Sequence, residues 1–218
     1  MCGRIVLLTD LSHVVETFQV EKVLVDYLPL PDAYPGRDVF AVIREEGNLL
    51  VPLRWGLVPS WVRKNAAARP IINARAETLS EKPSFREAFR RRRCLIVADG
   101  FYEWEKSPKK SIPHFFRLAS GAPFGLAGLY DESPGRDGRP VRAGVVITTA
   151  PNELIRPVHD RMPAIVCGED AAAWLEPSLA DADRLRSLLQ PYPAGAMRGE
   201  RGVFPTAQGP SGRPDPTP

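Results

Sequence analysis

The chain has 218 residues, 44% of them hydrophobic and 25% charged, which is the composition of a soluble globular protein long enough to bury a sizeable core. Its net charge of +3 is too small to identify a polyanionic partner, and no apolar run approaches the roughly 18 residues of a membrane span. The three widely spaced cysteines (Cys2, Cys94 and Cys167) exclude a disulfide framework, and no Cys-x-x-Cys pair or histidine cluster offers a zinc site.

In chain order, residues 3–8 read as a short apolar strand. An amphipathic helix over 11–18 follows, behind Thr9 and Asp10 as caps. Residues 27–38 are proline-rich and read as loop. The apolar runs 39–44 and 49–53 flank Glu45-Glu46-Gly47-Asn48 as a hairpin. Ser84 opens a helix that runs to about residue 92, and strands are expected at 94–98, 101–105, 114–118, 124–129 and 141–149, separated by turn-rich pieces. Asn152 caps a helical turn before His159, and two late helices are read at 171–175 and 182–189. From residue 191 onward 12 of 28 residues are Pro or Gly, so this end reads as irregular. The expectation is an α+β protein: one strand-rich domain over residues 1–190, with an antiparallel β-barrel-like core and short flanking helices, then a Pro/Gly-rich segment over 191–218. With no basic segment and apolar stretch at the start, no secretory signal is expected and the protein is read as cytoplasmic.

Polar residues stand out in four apolar settings. The first is Cys2. Removal of Met1 would leave an α-amine and a thiol on adjacent carbons, able to condense with an aldehyde as an imine and then as a five-membered thiazolidine. Near neutrality a fraction of such an amine is neutral, since it titrates around ~7.7, and a thiol is a strong nucleophile. The second is Asn73, Arg75 and Glu77, which alternation puts on one side if the segment is extended. The third is Glu103, set between Tyr102 and Trp104, where packing against rings would raise its pKa into a range suited to proton transfer. The fourth is His159, flanked by charge. Together they supply a nucleophile, a polar orienter, a carboxylic acid and an imidazole. The four arginines at 90–93 read as a solvated helix end, and Cys94 and Cys167 as packing.

These segments make the chain resemble the SRAP family, the SOS response-associated peptidase domains or abasic-site processing proteins. The blocks that carry the resemblance are M-C-G-R at 1–4, R-W-G-L-V-P-S-W at 54–61, I-I-N-A-R-A-E-T at 71–78, R-R-C-L-I-V-A-D-G-F-Y-E-W at 92–104 and H-D-R-M-P at 159–163, in family order. The resemblance implies a protein that binds single-stranded DNA and traps abasic sites as a covalent crosslink through a processed N-terminal cysteine. By position, Cys2 is implied as the nucleophile, Asn73 as the residue that holds cysteine and sugar, Glu103 as the proton shuttle, and His159 as the group that helps open the deoxyribose ring. Arg4, Arg75 and Arg161 lie beside these residues and would grip phosphates. Trp55 and Trp61, with Phe101 and Tyr102, would offer stacking surface to bases. No cofactor and no metal is expected; the expected partner is single-stranded DNA containing abasic sites, bound by a monomer with nucleoid association and no membrane contact. The competing readings are an N-terminal-nucleophile thiol peptidase or amidohydrolase, and a noncatalytic single-strand DNA module.

Overall fold

The computed structural model describes residues 2–58, 69–105, 111–134 and 140–204. β1 (Arg4–Leu7) leads into α1 (Leu11–Thr17), which buries Val14 and has Asp10 in extended conformation at its start. β2 (Lys22–Val23) and β3 (Leu30–Ala33) are short; β4 (Asp38–Arg44) and β5 (Asn48–Trp55) form the expected hairpin, with Arg44 opposite Asn48. β6 (Asn73–Arg75) runs into a 3-10 turn over Ala76–Thr78. α2 (Pro83–Arg91) has Pro at its first position, where the missing N–H costs nothing, and buries Phe85, Ala88 and Phe89 on one stripe. Then come β7 (Arg93–Ala98), β8 (Gly100–Glu105), β9 (Ile112–Leu118), β10 (Phe124–Pro134), β11 (Pro140–Thr149), β12 (Met162–Pro163) and β13 (Ile165–Val166). α3 (Gly168–Leu175), α4 (Ala182–Ser187) and β14 (Met197–Arg201) complete the order.

Five strands close on themselves in the order β11-β10-β7-β4-β5. The last pair returns to β11 with Ala143 beside Arg54 and Gly144 beside Trp55. That closing pair is parallel, while the other four pairs of the barrel are antiparallel, in line with the expected antiparallel barrel-like core. Closure needs a tight approach at Gly144: a Cβ there would lie 2.8 Å from both the Leu129 carbonyl oxygen and Leu53 Cδ2. Both faces of the barrel strands are buried, which explains why β7 reads as a continuous apolar run rather than an alternating one. Phe40, Val42, Leu95, Val97 and Leu129 share a core with residues of all four helices, Trp174 and Phe89 among them. The alternate residues Val39, Ala41, Ile43, Ile96 and Leu126 share a second core with Cys2, Ile5, Phe101 and Phe116.

Ile5, Phe101 and Phe116 belong to a five-stranded sheet, β14-β9-β8-β1-β3, antiparallel throughout, and Cys2 just precedes its strand β1. The chain passes from barrel to sheet at Asp99, between β7 and β8. Its carboxylate accepts from the Leu8 and Thr9 backbone N–H groups and, at 2.7 Å, from the Thr9 hydroxyl. Thr9 is therefore part of this corner rather than a cap of α1. Two stretches read as irregular contain strands. β3 lies inside the proline-rich 27–38, and β14 inside the segment from residue 191; each is an outermost strand that, among the described residues, pairs with one neighbour, β1 and β9 respectively. Among the described residues no helix is long and apolar enough to cross a membrane.

Candidate active site

The start of β1 sets the first residue of the site. Arg4 pairs with Tyr102 and Ile5 with Phe101, which sets the residues just before β1 against the end of β8 that carries Glu103, whose charge acts on the Cys2 thiol. Cys2 is fully buried and Glu103 is 1% exposed. Burial pushes the Cys2 thiol well above its ordinary value, and the Glu103 carboxylate pushes it further the same way. The Glu103 carboxyl is raised to about 7, by burial first, with Asp160 adding to the rise. Sequence reasoning assigned this rise to the flanking aromatic rings, but alternation along β8 sends Tyr102 and Trp104 to the opposite face, with Val6 and Phe115. Loss of water around the carboxylate is the cause.

Asn73 arrives on β6, beside Val146 of β11. The preceding carbonyl, that of Ile72, accepts from the Val146 N–H at 3.1 Å and from the Trp55 indole N–H at 3.0 Å, so the strand that carries Asn73 is held from two sides. Asn73 Nδ2 donates to the Cys2 carbonyl at 2.9 Å. Its buried Oδ1 has no hydrogen-bond partner among the described residues, leaving one buried acceptor unused.

His159 ends the turn that Asn152 opens. Asn152 Oδ1 accepts from the Ile155 N–H at 3.0 Å, and the His159 N–H donates to the Ile155 carbonyl at 2.9 Å. Two groups meet His159 Nδ1: the Arg161 backbone N–H at 3.0 Å and Asp160 Oδ1 at 2.9 Å. They exclude one another, because the N–H needs the nitrogen lone pair and the carboxylate needs a proton there. The Arg161 N–H is fixed by backbone, whereas the Asp160 side chain is 88% exposed; with the Arg161 bond made, Nδ1 is the acceptor and the ring proton lies on Nε2. His159 and Asp160 line a cleft of about 610 Å³ with Glu105, Arg156 and Val158.

The residues expected to hold DNA are placed unequally. Arg4 Nη1 is 2.9 Å from Asp32 Oδ2, and the guanidinium lies over the Tyr34 ring. Arg161 is bound by Glu77 through both terminal nitrogens, at 2.6 and 2.9 Å. Arg75 is exposed, with no hydrogen-bond or ion-pair partner among the described residues. Trp55 is fully buried with its N–H satisfied, so it braces β6 rather than presenting a stacking face; Phe101 and Tyr102 are likewise buried. Trp61 lies outside the described residues. Cys2, Asn73 and Glu103 are thus brought together, and the turn bearing His159 and Asp160 adjoins them. The pairings of Asp32 and Glu77 with these arginines escaped sequence reasoning, since 28 and 84 positions separate the partners, although Glu77 itself stood out beside Asn73.

The model of the family described as SOS response associated peptidase (SRAP) matches residues 1–201. The abasic site processing protein YoqW of Bacillus subtilis (strain 168) is 43% identical over 201 residues, covering 90% of each chain. The abasic site processing protein YedK of Escherichia coli (strain K12) is 30% identical over 147 residues, which are 67% of this chain and 64% of that one. A crystal structure of a protein from Bordetella bronchiseptica superposes with a TM-score of 0.78 at 27% identity, covering 92% of this chain and 99% of the other.

Proposed function

The chain belongs to the SRAP family, and from that premise we propose that it captures abasic sites in single-stranded DNA as a covalent adduct on Cys2, acting as a monomer after Met1 is removed. The observation that carries the reading is the convergence on one buried cysteine of an amide anchored to its carbonyl and a carboxyl raised to about 7. An abasic sugar in its open form is an aldehyde, and an aminothiol is the group that turns a reversible imine into a ring.

The steps follow from the protonation states. His159, with its proton on Nε2, donates to the sugar ring oxygen and favours the open aldehyde. The Cys2 amine adds to the C1′ carbon. Glu103, whose burial holds its proton up to about 7, gives that proton to the departing hydroxyl as water leaves and the protonated imine forms. Burial keeps the Cys2 thiol protonated, so sulfur needs a base as it attacks the imine carbon. Glu103, now a carboxylate, takes that proton and is restored to its acid form, while the ring nitrogen recovers its lone pair and keeps the hydrogen it already carried. One water is lost overall, and no oxidant or reductant is needed. Asn73 holds the cysteine carbonyl through Nδ2 and offers Oδ1 to the amine or to a sugar hydroxyl. Reversal of the same steps makes Glu103 the group that assists release.

Intact-protein mass spectrometry before and after mixing with a single-stranded oligonucleotide carrying one abasic site tests this. The expected product is the Met-free protein plus the oligonucleotide less one water, absent in Cys2→Ser while that variant still binds the strand noncovalently. A Met-free protein that stays unmodified but turns over amide substrates would replace the reading with a thiol amidohydrolase or peptidase. Met1 still attached would end the aminothiol argument.

A further inference from the structure

β11 ends between the two segments that carry the polar site residues. β6 pairs with it through Asn73, Ala74 and Arg75, opposite Val146, Ile147 and Thr148. On the other edge β12 pairs through Met162 and Pro163, opposite Thr149 and Thr148. Glu77 follows β6 on the 3-10 turn, and Arg161 precedes β12 by one residue. The Arg161 guanidinium crosses the end of β11, donating to both Glu77 carboxylate oxygens at 2.6 and 2.9 Å and to the Thr148 carbonyl. At its other end the Arg161 backbone N–H donates to His159 Nδ1. One residue therefore ties the Asn73 strand, the end of β11 and the His159 ring into a single strut.

We propose that Glu77 is a positioning residue, whose two-point grip on Arg161 across the end of β11 fixes the separation of Asn73 and His159 and holds His159 in its Nε2–H form. The inference rests on the crosslinking reading above. An isolated exposed ion pair would carry little weight, but this one is bidentate and its Arg161 side chain is only 16% exposed. The hydrogen bonds from Arg161 hold the Glu77 carboxyl below the usual carboxylate range, which favours its charged form in the pair. Groups that act through geometry show their loss in rate: a misplacement of about 1 Å can cost on the order of a hundred-fold.

The test compares wild type, Glu77→Gln, Arg161→Met and the double variant. For each, the rate of adduct formation at saturating abasic oligonucleotide is measured beside the Kd for the same strand with an intact base. The expectation for Glu77→Gln is a saturated rate slower by on the order of ten- to a hundred-fold, with Kd within about two-fold of wild type. The double variant should be no slower than Arg161→Met alone, since both substitutions break one strut. A purely structural role would lower the unfolding midpoint without separating rate from Kd in this way. A saturated rate equal to wild type, or losses that multiply in the double variant, overturns the proposal. So does a tighter Kd with a steeper salt dependence and unchanged rate, which would make Glu77 a restraint on a phosphate-binding arginine. Absence of adduct from wild type would overturn the functional reading, and the inference with it; a wild type that reacts alongside an unimpaired Glu77→Gln overturns the inference alone.

Discussion

Glu103 is kept in an environment that penalises its charge, and that penalty is measurable as stability. In the unfolded chain a glutamate titrates near ~4.3, whereas in the folded protein this carboxyl holds its proton to about 7. Between those values the native state binds the more protons, so its stability falls as pH rises through the window, and the loss is complete above the folded pKa. Full burial makes the conversion to energy meaningful, and the cost at pH 8 is on the order of 3 kcal/mol. Glu103→Gln is neutral at every pH and of nearly the same shape. Urea unfolding is expected to give equal stability for variant and wild type near pH 4, with the variant gaining progressively to about 3 kcal/mol at pH 8. A difference independent of pH would show that no displaced titration exists. The same substitution should slow adduct formation and erase the ionisation near pH 7 from its pH–rate profile, because glutamine can neither give nor take the proton. The polar residue in an apolar run was visible in the sequence. Its cause was not, since burial depends on which face of β8 meets the barrel.

At the scale of elements, Arg93 joins three of them. The side chain is buried and donates only to backbone carbonyls: Phe89 and Arg90 at the end of α2, Trp174 near the end of α3, and Glu176 and Leu179 in the loop beyond it. Those of Phe89, Arg90 and Trp174 are carbonyls of the kind that helix ends leave without partners, and a planar guanidinium with five N–H groups suits such a set better than any other side chain. Arg93→Lys retains the charge but has three donors on one nitrogen, leaving carbonyls buried and unpaired. It is expected to cost about 3–5 kcal/mol in urea unfolding, and a loss below about 1 kcal/mol would show that water takes the role of the missing donors. In the sequence Arg93 is one of four arginines in a row and reads as solvated like the rest; only the docking of α3 against β7 sets it apart. The other elements divide on similar lines. The barrel strands and the amphipathic α2 are legible because a core on both faces, or on one stripe, leaves its period in the chain. β3 and β14 are not, because outermost strands tolerate the prolines and glycines that mark loops elsewhere. The β5–β11 closure is set by strands far apart in sequence, and nothing local encodes it.

For the whole molecule the question is how a chain of net charge +3 attracts a polyanion. Three arginines beside the site were expected to meet phosphates, and their combined effect would show as a slope. Each phosphate contact to a single strand contributes about −0.7 to the dependence of log K on log salt, so three would give about −2. In the fold two of the three are already committed to carboxylates, Arg4 to Asp32 and Arg161 to Glu77, and the negative partner offsets the charge each presents. Arg75 is the one of the three that is exposed and outside any ion pair among the described residues, with the Glu77 carboxylate near enough to feel its charge. Noncovalent binding to an undamaged single strand is therefore expected to show a slope nearer −1 than −2, shallow but not flat. Arg75→Ala should flatten it by about 0.7 and weaken binding alike for every sequence, whereas Arg161→Met should leave it unchanged. Titration by fluorescence anisotropy between low and moderate salt separates the cases. If the slope survives loss of Arg75 and collapses with loss of Arg161, the Glu77–Arg161 pair opens on DNA binding and the strut is not a permanent feature of the site. If the slope follows Arg75, affinity and chemistry are carried by different arginines, one facing solvent to find the strand and one turned inward to hold the site that reacts with it.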